Sequence, residues 1–227
     1  MIKFRLPIII ITPVIILLMI LNFVALDKST YISGYKKYEV YKEIGISIED
    51  LDKVADNFIN YFLNKDDNMQ LQLEVNSVER DIFNEKELTH MIDVLKLFRL
   101  SRTILIMLII IVLALGIGLF MSKGALSIIN TFIITGFTSL AIMPITYLIF
   151  PKDFYSNFVI FHKLLFTNDL WILNPKTDIL LQLHPLGFFN DIGIRLLTYY
   201  VISNIVLVFL GMERMLKTKY WKRKTTM

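Results

Sequence analysis

Four apolar stretches, each about as long as a helix needs to cross a bilayer, constrain this chain more than any other feature. A hydrocarbon core of about 30 Å takes roughly 20 helical residues. Stretches from about Leu6 to Leu26, Thr103 to Met121, Ala125 to Phe150 and Ile192 to Met212 meet that length. In lipid every backbone N–H and C=O must be satisfied within the chain, so such segments form helices. The chain has 227 residues and is 55% hydrophobic, so four spans leave little mass for a separate soluble domain. The expectation is one membrane domain, an all-α integral membrane protein with four transmembrane helices and a small α+β extracellular cap. The first stretch follows "MIKFR" but is longer than the about 7–15 apolar residues of a secretory signal, and "NFVALD" offers no small-x-small cleavage site. It reads as an uncleaved anchor.

Orientation follows from Lys and Arg. Lys3 and Arg5 precede the first span, Lys123 sits between the second and third, and the tail at 213–227 carries Arg214, Lys217, Lys219, Lys222, Arg223 and Lys224. With four spans these three segments share one side, and Glu213 is their only acid. The positive-inside rule places both termini in the cytoplasm. Residues 27–100 and 151–191 then form the extracellular cap. The first of these has ten basic and fifteen acidic residues, so the net charge of +4 is a basic inner rim under an acidic outer cap. That pattern suits anionic membrane lipids, not nucleic acid.

No cysteine is present, which excludes disulfides, thiolate metal sites and a cysteine nucleophile. GxSxG, phosphate-cradling glycine loops and HExxH or HxxxH spacings are also missing. The sequence therefore calls for no metal and no cofactor.

The outer segments are patterned, not floppy. "SIEDLDKVADNFINYFL" spaces Leu51, Val54, Phe58, Tyr61 and Phe62 as a helix face, with acids near its start. "NKDDN" is turn chemistry, and "MQLQLEV" alternates Leu71, Leu73 and Val75 as a short strand. In "FNEKELTHMIDVLKLFRLSR", Asn84 and Glu87 fit a capping box. No Pro or Gly follows until Gly116, so this helix is expected to continue into the second span, about 55 Å long at 1.5 Å per residue. Glu87, His90, Asp93 and Leu97 then share a face. Pro151 is expected to end the third span. "DFYSNFVIFHKLLF" repeats Phe154, Phe158, Phe161 and Leu165 at helical spacing, too short to span and suited to lie in the interface. It places His162 one turn from Phe158 and one turn from Phe166. Asn168 and Asp169 break that helix, and "NPKTD" turns the chain back.

The three histidines, His90, His162 and His184, all lie outside the spans. A single interfacial histidine is usually an amphipathic neighbour of headgroups, and aromatic belts occur without catalysis. Asp169 and Asp178 fit turn caps as well as chemistry. His184, before a proline and among apolar residues, reads as structural. His90 and His162, one in each outer segment, form a candidate acid–base pair.

Two outer stretches, "FNEKELTHMIDVLKLF" with its E-x-x-H-M-x-D-V core and "FHKLLFTNDLWILNPKTDILLQLHPLGFF", together resemble the bacterial lipoprotein intramolecular transacylase family. The order of spans and outer segments extends that resemblance over nearly the whole chain. It implies a four-helix membrane fold with an extracellular cap, in the bacterial cell membrane with the active site at the outer face. It also implies the reaction. The sn-2 acyl chain of a diacylglyceryl-modified lipoprotein moves to the α-amino group of that lipoprotein's N-terminal cysteine, giving the lyso form. The family's two catalytic histidines fall on His90 and His162. His184 departs from the usual apolar residue, in line with a structural role. Glu87, Asp93, Phe158, Phe166, Asn168, Asp169, Trp171 and Asp178 are candidates for binding or orienting the substrate. The residues leave open which histidine is base and which acid, with His162 favoured as base, and oxyanion donors are sought in a backbone N–H, Asn168 or Trp171. A different class of reading is a non-catalytic accessory or assembly protein that binds a partner through its aromatic outer cap; it needs the aromatics but not both imidazoles. A small transporter fits poorly, because the spans hold almost no ionisable group apart from Arg195 near one end.

Overall fold

The computed structural model describes residues 2–66, 68–149 and 152–225. Asp67 of the expected turn, and Phe150 and Pro151 at the expected end of the third span, lie outside them. The elements in order are α1 (Ile2–Leu26), α2 (Lys28–Lys37), α3 (Val40–Ile44), α4 (Ile48–Phe62), β1 (Gln72–Val75), β2 (Val78–Asp81), α5 (Glu85–Lys123), α6 (Ala125–Ile149), α7 (Phe154–Leu165), α8 (Ile179–Leu183) and α9 (Leu186–Thr225). Four helices, α1, α5, α6 and α9, are long and apolar enough to cross a membrane. The chain divides into two compact units, one of residues 1–21, 101–150 and 196–227 and the other of residues 22–100 and 151–195.

The first unit is built from the apolar helices. With lipid as solvent there is no hydrophobic drive between helices, so close approach at small residues does the packing. A Cβ on Gly136 would stand 2.5 Å from Val208, one on Gly211 would stand 2.5 Å from Ile133, and one on Gly118 would stand 2.9 Å from the Phe4 ring. Thr131, Thr135 and Ser139 are buried on α6, and each hydroxyl donates to the carbonyl four residues earlier, at 2.7, 2.9 and 2.7 Å. Those polar groups are thereby satisfied within their own helix. Gly124, at φ +72°, ends α5 with its N–H on the Phe120 carbonyl and lets α6 start at once.

The second unit has a core of its own. α4 begins at Ser47, whose hydroxyl accepts the Asp50 N–H, and buries Leu51, Val54, Phe58, Tyr61 and Phe62, the face its spacing predicts. β1 buries Leu73 and Val75. Its partner β2, exposed throughout and without a periodic pattern, is not legible in the sequence. The hairpin forms because Asn76 and Ser77 both take positive φ, 51° and 66°, which matches the strand twist. Gly34 on α2 seats the Phe188 ring, which a Cβ would meet at 2.2 Å. Around it Tyr35 stacks on Phe188 at 6.0 Å and Tyr31 on Phe58 at 6.0 Å.

α5 does run unbroken from its cap to Lys123. α9 exceeds the expected span at both ends and continues helically through the basic tail, where no Gly or Pro follows Gly211.

Candidate active site

The expected capping box is realised. The Asn84 N–H donates to Glu87 Oε2 at 2.7 Å, and the Glu87 N–H donates to Asn84 Oδ1 at 3.0 Å. Two otherwise orphaned donors at the start of α5 are satisfied this way. Glu87 also has a tertiary partner: its Oε1 accepts the backbone N–H of Leu180 at 2.6 Å, and the side chain is 1% exposed. Burial raises its carboxyl above the usual range, opposed by the backbone donors.

Asp178 completes this fastening. Its carboxylate accepts from Asn84 Nδ2 at 3.1 Å, the Asn174 N–H at 2.7 Å and the Thr177 hydroxyl at 3.0 Å. Lys86 reaches the Ile172 carbonyl. Loop 166–178 is thus tied to the first turn of α5 from several directions. Lys86 carried no sequence signal for this role, since its partner is a main-chain atom far along the chain.

One turn beyond Glu87, His90 is 7% exposed. From the other segment comes α7, capped by Asp153, which accepts the Ser156 N–H at 2.8 Å. It brings His162, 8% exposed, in its last turn. The two imidazole centroids are 6.3 Å apart. The Phe166 ring lies 5.2 Å from His90 and 5.6 Å from His162, Phe158 lies 4.1 Å from His162, and the Trp171 indole stacks on His162 at 4.9 Å. Aromatic surface therefore encloses the pair, as the sequence spacing around His162 predicts.

The two rings differ in their bonding. His162 Nδ1 lies 2.7 Å from the Phe158 carbonyl, which can only accept, so Nδ1 carries the proton and Nε2 keeps its lone pair. His90 Nδ1 is buried without a hydrogen-bond partner. Burial, reinforced by the neighbouring His162, lowers the His90 pKa to about 4. Burial also lowers that of His162, against the Phe158 carbonyl bond that raises it. Both are neutral near pH 7.

Asp93 is one turn from His90 but makes no hydrogen bond to it. Its carboxylate pairs with Lys96 at 2.9 Å and accepts from Asn168 Nδ2 at 2.9 Å, and these bonds hold its pKa down. Asn168 also accepts the Leu170 N–H at 3.1 Å, so both ends of this amide serve to hold the loop. Asp169 is exposed, and its main-chain carbonyl, bonded to the Ile172 N–H, shapes the turn. α7 stops at Leu165, with Phe166 as its C-cap, before the Asn168–Asp169 pair expected to break it. His184 stands apart from the histidine pair, in the core. Its Nδ1–H donates to the Leu180 carbonyl at 3.1 Å and its Nε2 accepts the Tyr35 hydroxyl at 3.1 Å. Among the described residues no group of three or more His, Asp or Glu stands close enough to hold a metal ion.

A family model described as lipoprotein intramolecular transacylase Lit matches residues 6–189. Among solved structures, the membrane-integral lipoprotein intramolecular transacylase Lit from Bacillus cereus is 20% identical, covers 96% of this chain and 97% of its own, and superposes with a TM-score of 0.75. A variant of that protein with a histidine replaced by arginine, 20% identical, gives 97%, 93% and 0.74. The shared fold extends over the whole architecture. No curated protein matches the chain.

Proposed function

The chain belongs to the lipoprotein intramolecular transacylase family, and from that premise we propose that it moves the sn-2 acyl chain of a diacylglyceryl lipoprotein to the α-amino group of the lipoprotein's N-terminal cysteine. His90 and His162 act as the acid–base pair. The observation that carries this reading is the placement of two buried imidazoles 6.3 Å apart inside an aromatic enclosure. An adaptor surface has no use for that pair.

The nucleophile is the substrate's own amine, with a pKa near 8, so no serine or cysteine is needed. As the amine nitrogen attacks the ester carbonyl, its proton passes to Nε2 of His162, whose Nδ1–H is committed to the Phe158 carbonyl. The proton taken up by His162 passes to His90, and as the acyl carbon–oxygen bond breaks His90 delivers it to the departing glyceryl oxygen. One N–C and one O–H bond form, one C–O and one N–H bond break, and the protein ends as it began.

The tetrahedral intermediate closes a ring through nitrogen, Cα, Cβ, sulfur, two glyceryl carbons, the ester oxygen and the acyl carbon. Folding a lipid back on itself in this way is entropically unfavourable, and orientation of reacting groups is worth up to about 7–11 kcal/mol in favourable systems. Phe158, Phe166 and Trp171 are the surfaces that hold the folded lipid. Glu87, Asn84 and Asp178 position the loop that carries Trp171. In this reading both termini are cytoplasmic and residues 27–100 and 151–191 face outward at the bacterial cell membrane, which the clustering of Lys and Arg supports.

Mass spectrometry of a reporter lipoprotein's N-terminal peptide tests the proposal. His90→Ala and His162→Ala should each lower formation of N-acyl, S-monoacylglyceryl cysteine by about 10²–10⁴-fold, with expression and membrane insertion unchanged. Wild-type levels of that product in either variant would overturn the pair mechanism.

A further inference from the structure

We propose that the membrane-spanning unit binds one anionic phospholipid, an acyl chain lying in a groove between α1, α5 and α6 and the phosphate meeting Arg5. The groove has a volume of about 340 Å³, and its walls include Ile8, Gly116, Phe120, Ile128, Thr131 and Phe132. Water leaves such apolar hollows dry. A flexible hydrocarbon chain is the shape that fits.

Charge selects the headgroup. Arg5 Nε donates to Thr131 Oγ1 at 3.1 Å, and Thr131 is itself part of the groove wall. That bond takes one of the five guanidinium N–H donors, and it holds a permanent cation at the edge of an apolar slot. α1 starts where α5 ends, as the contact of Phe4 with Gly118 shows, so Lys3, Arg5 and Lys123 lie at the same end of the unit. Lys3 and Lys123 are exposed. Glu213 is the one acidic residue in this unit's sequence, and it is paired with Lys217. A phosphate beside the groove would meet cations without a competing carboxylate.

Gly116 supplies a clean perturbation. A Cβ there would meet nothing within 4 Å, so a larger side chain enters the groove without displacing backbone, and leucine is the better helix former. The purified protein in detergent micelles would be titrated with phosphatidylglycerol and with phosphatidylcholine of the same acyl chains, and bound lipid read by native mass spectrometry. The wild type should retain one phosphatidylglycerol, bound about tenfold more tightly than phosphatidylcholine. Gly116→Leu should lose both lipids. Arg5→Gln should keep chain binding and lose the tenfold preference. Ile128→Phe fills the groove from α6 and should repeat the Gly116→Leu result if the latter does not fold. Equal binding of the two lipids by the wild type, full lipid binding by the folded groove-filling variants, or a lipid-free dimer would each overturn the site.

Discussion

The carboxylate of Glu87 accepts the backbone N–H of Leu180 at 2.6 Å across 93 residues of chain, while its other oxygen caps the helix that carries His90. A single buried side chain thus joins the two segments that supply the histidines. Its place one turn before His90 makes it a candidate site residue by sequence, and its bonds make it a fastener.

Glu87→Ala should therefore act on stability first. It leaves the Asn84 and Leu180 N–H groups without their acceptor, and an unsatisfied buried donor costs about 1–3 kcal/mol. Glu87→Gln keeps one acceptor oxygen and should lose less. Thermal unfolding and hydrogen exchange at the Leu180 amide measure both effects. Wild-type thermal stability in Glu87→Ala, together with lost turnover, would instead place Glu87 in the chemistry.

Asp93 acts through Asn168. Asp93→Ala removes the acceptor of the 2.9 Å bond that holds loop 166–178, and the Trp171 stack on His162 should loosen. The expected outcome is a fall in turnover of about tenfold, well short of the histidine variants, since a hydrogen bond to a charged group is worth about 1.5–3 kcal/mol. Trp171 fluorescence in Asp93→Ala should shift toward that of an exposed indole. Unchanged fluorescence with wild-type turnover would remove Asp93 from the site.

Turnover should keep a working base to unusually low pH. Burial holds His162 below its ordinary 6.5 and His90 at about 4, so the enzyme's acidic limb should fall below pH 6.5. Above that, the rate should rise as the substrate amine loses its proton near pH 8. Stability follows the same shifts. The unfolded chain takes up protons on these histidines first, so their contribution to folding declines as pH drops through 6.5 and levels off near 4. A pH profile of turnover, paired with melting temperatures from pH 7 to 4, checks both.

His184 should matter for stability and not for turnover. His184→Leu keeps the apolar contacts but leaves the Tyr35 hydroxyl, at 0% exposure, without its partner. The expected loss is about 1–3 kcal/mol of folding free energy, with the rate per folded molecule unchanged. A changed rate would place His184 in the mechanism.

What the sequence determined by itself was whatever depends on a local, repeating cause. Four apolar runs specify four helices because lipid leaves the backbone no other way to satisfy its polar groups. The Asn84–Glu87 box and the helical face from Leu51 to Phe62 were legible because the residues that interact are three or four apart. The two histidines stood out as rare polar rings beside apolar spans. Tertiary structure alone decided their partners. Phe166 sets its ring 5.2 Å from His90, a residue of the other outer segment. Asp93 faces Asn168, and not His90, because loop 166–178 folds over α5. β2 exists only as the return of a turn at Asn76 and Ser77. In each case the deciding partner is a main-chain atom or a residue distant in sequence, and neither leaves a periodic mark on the chain.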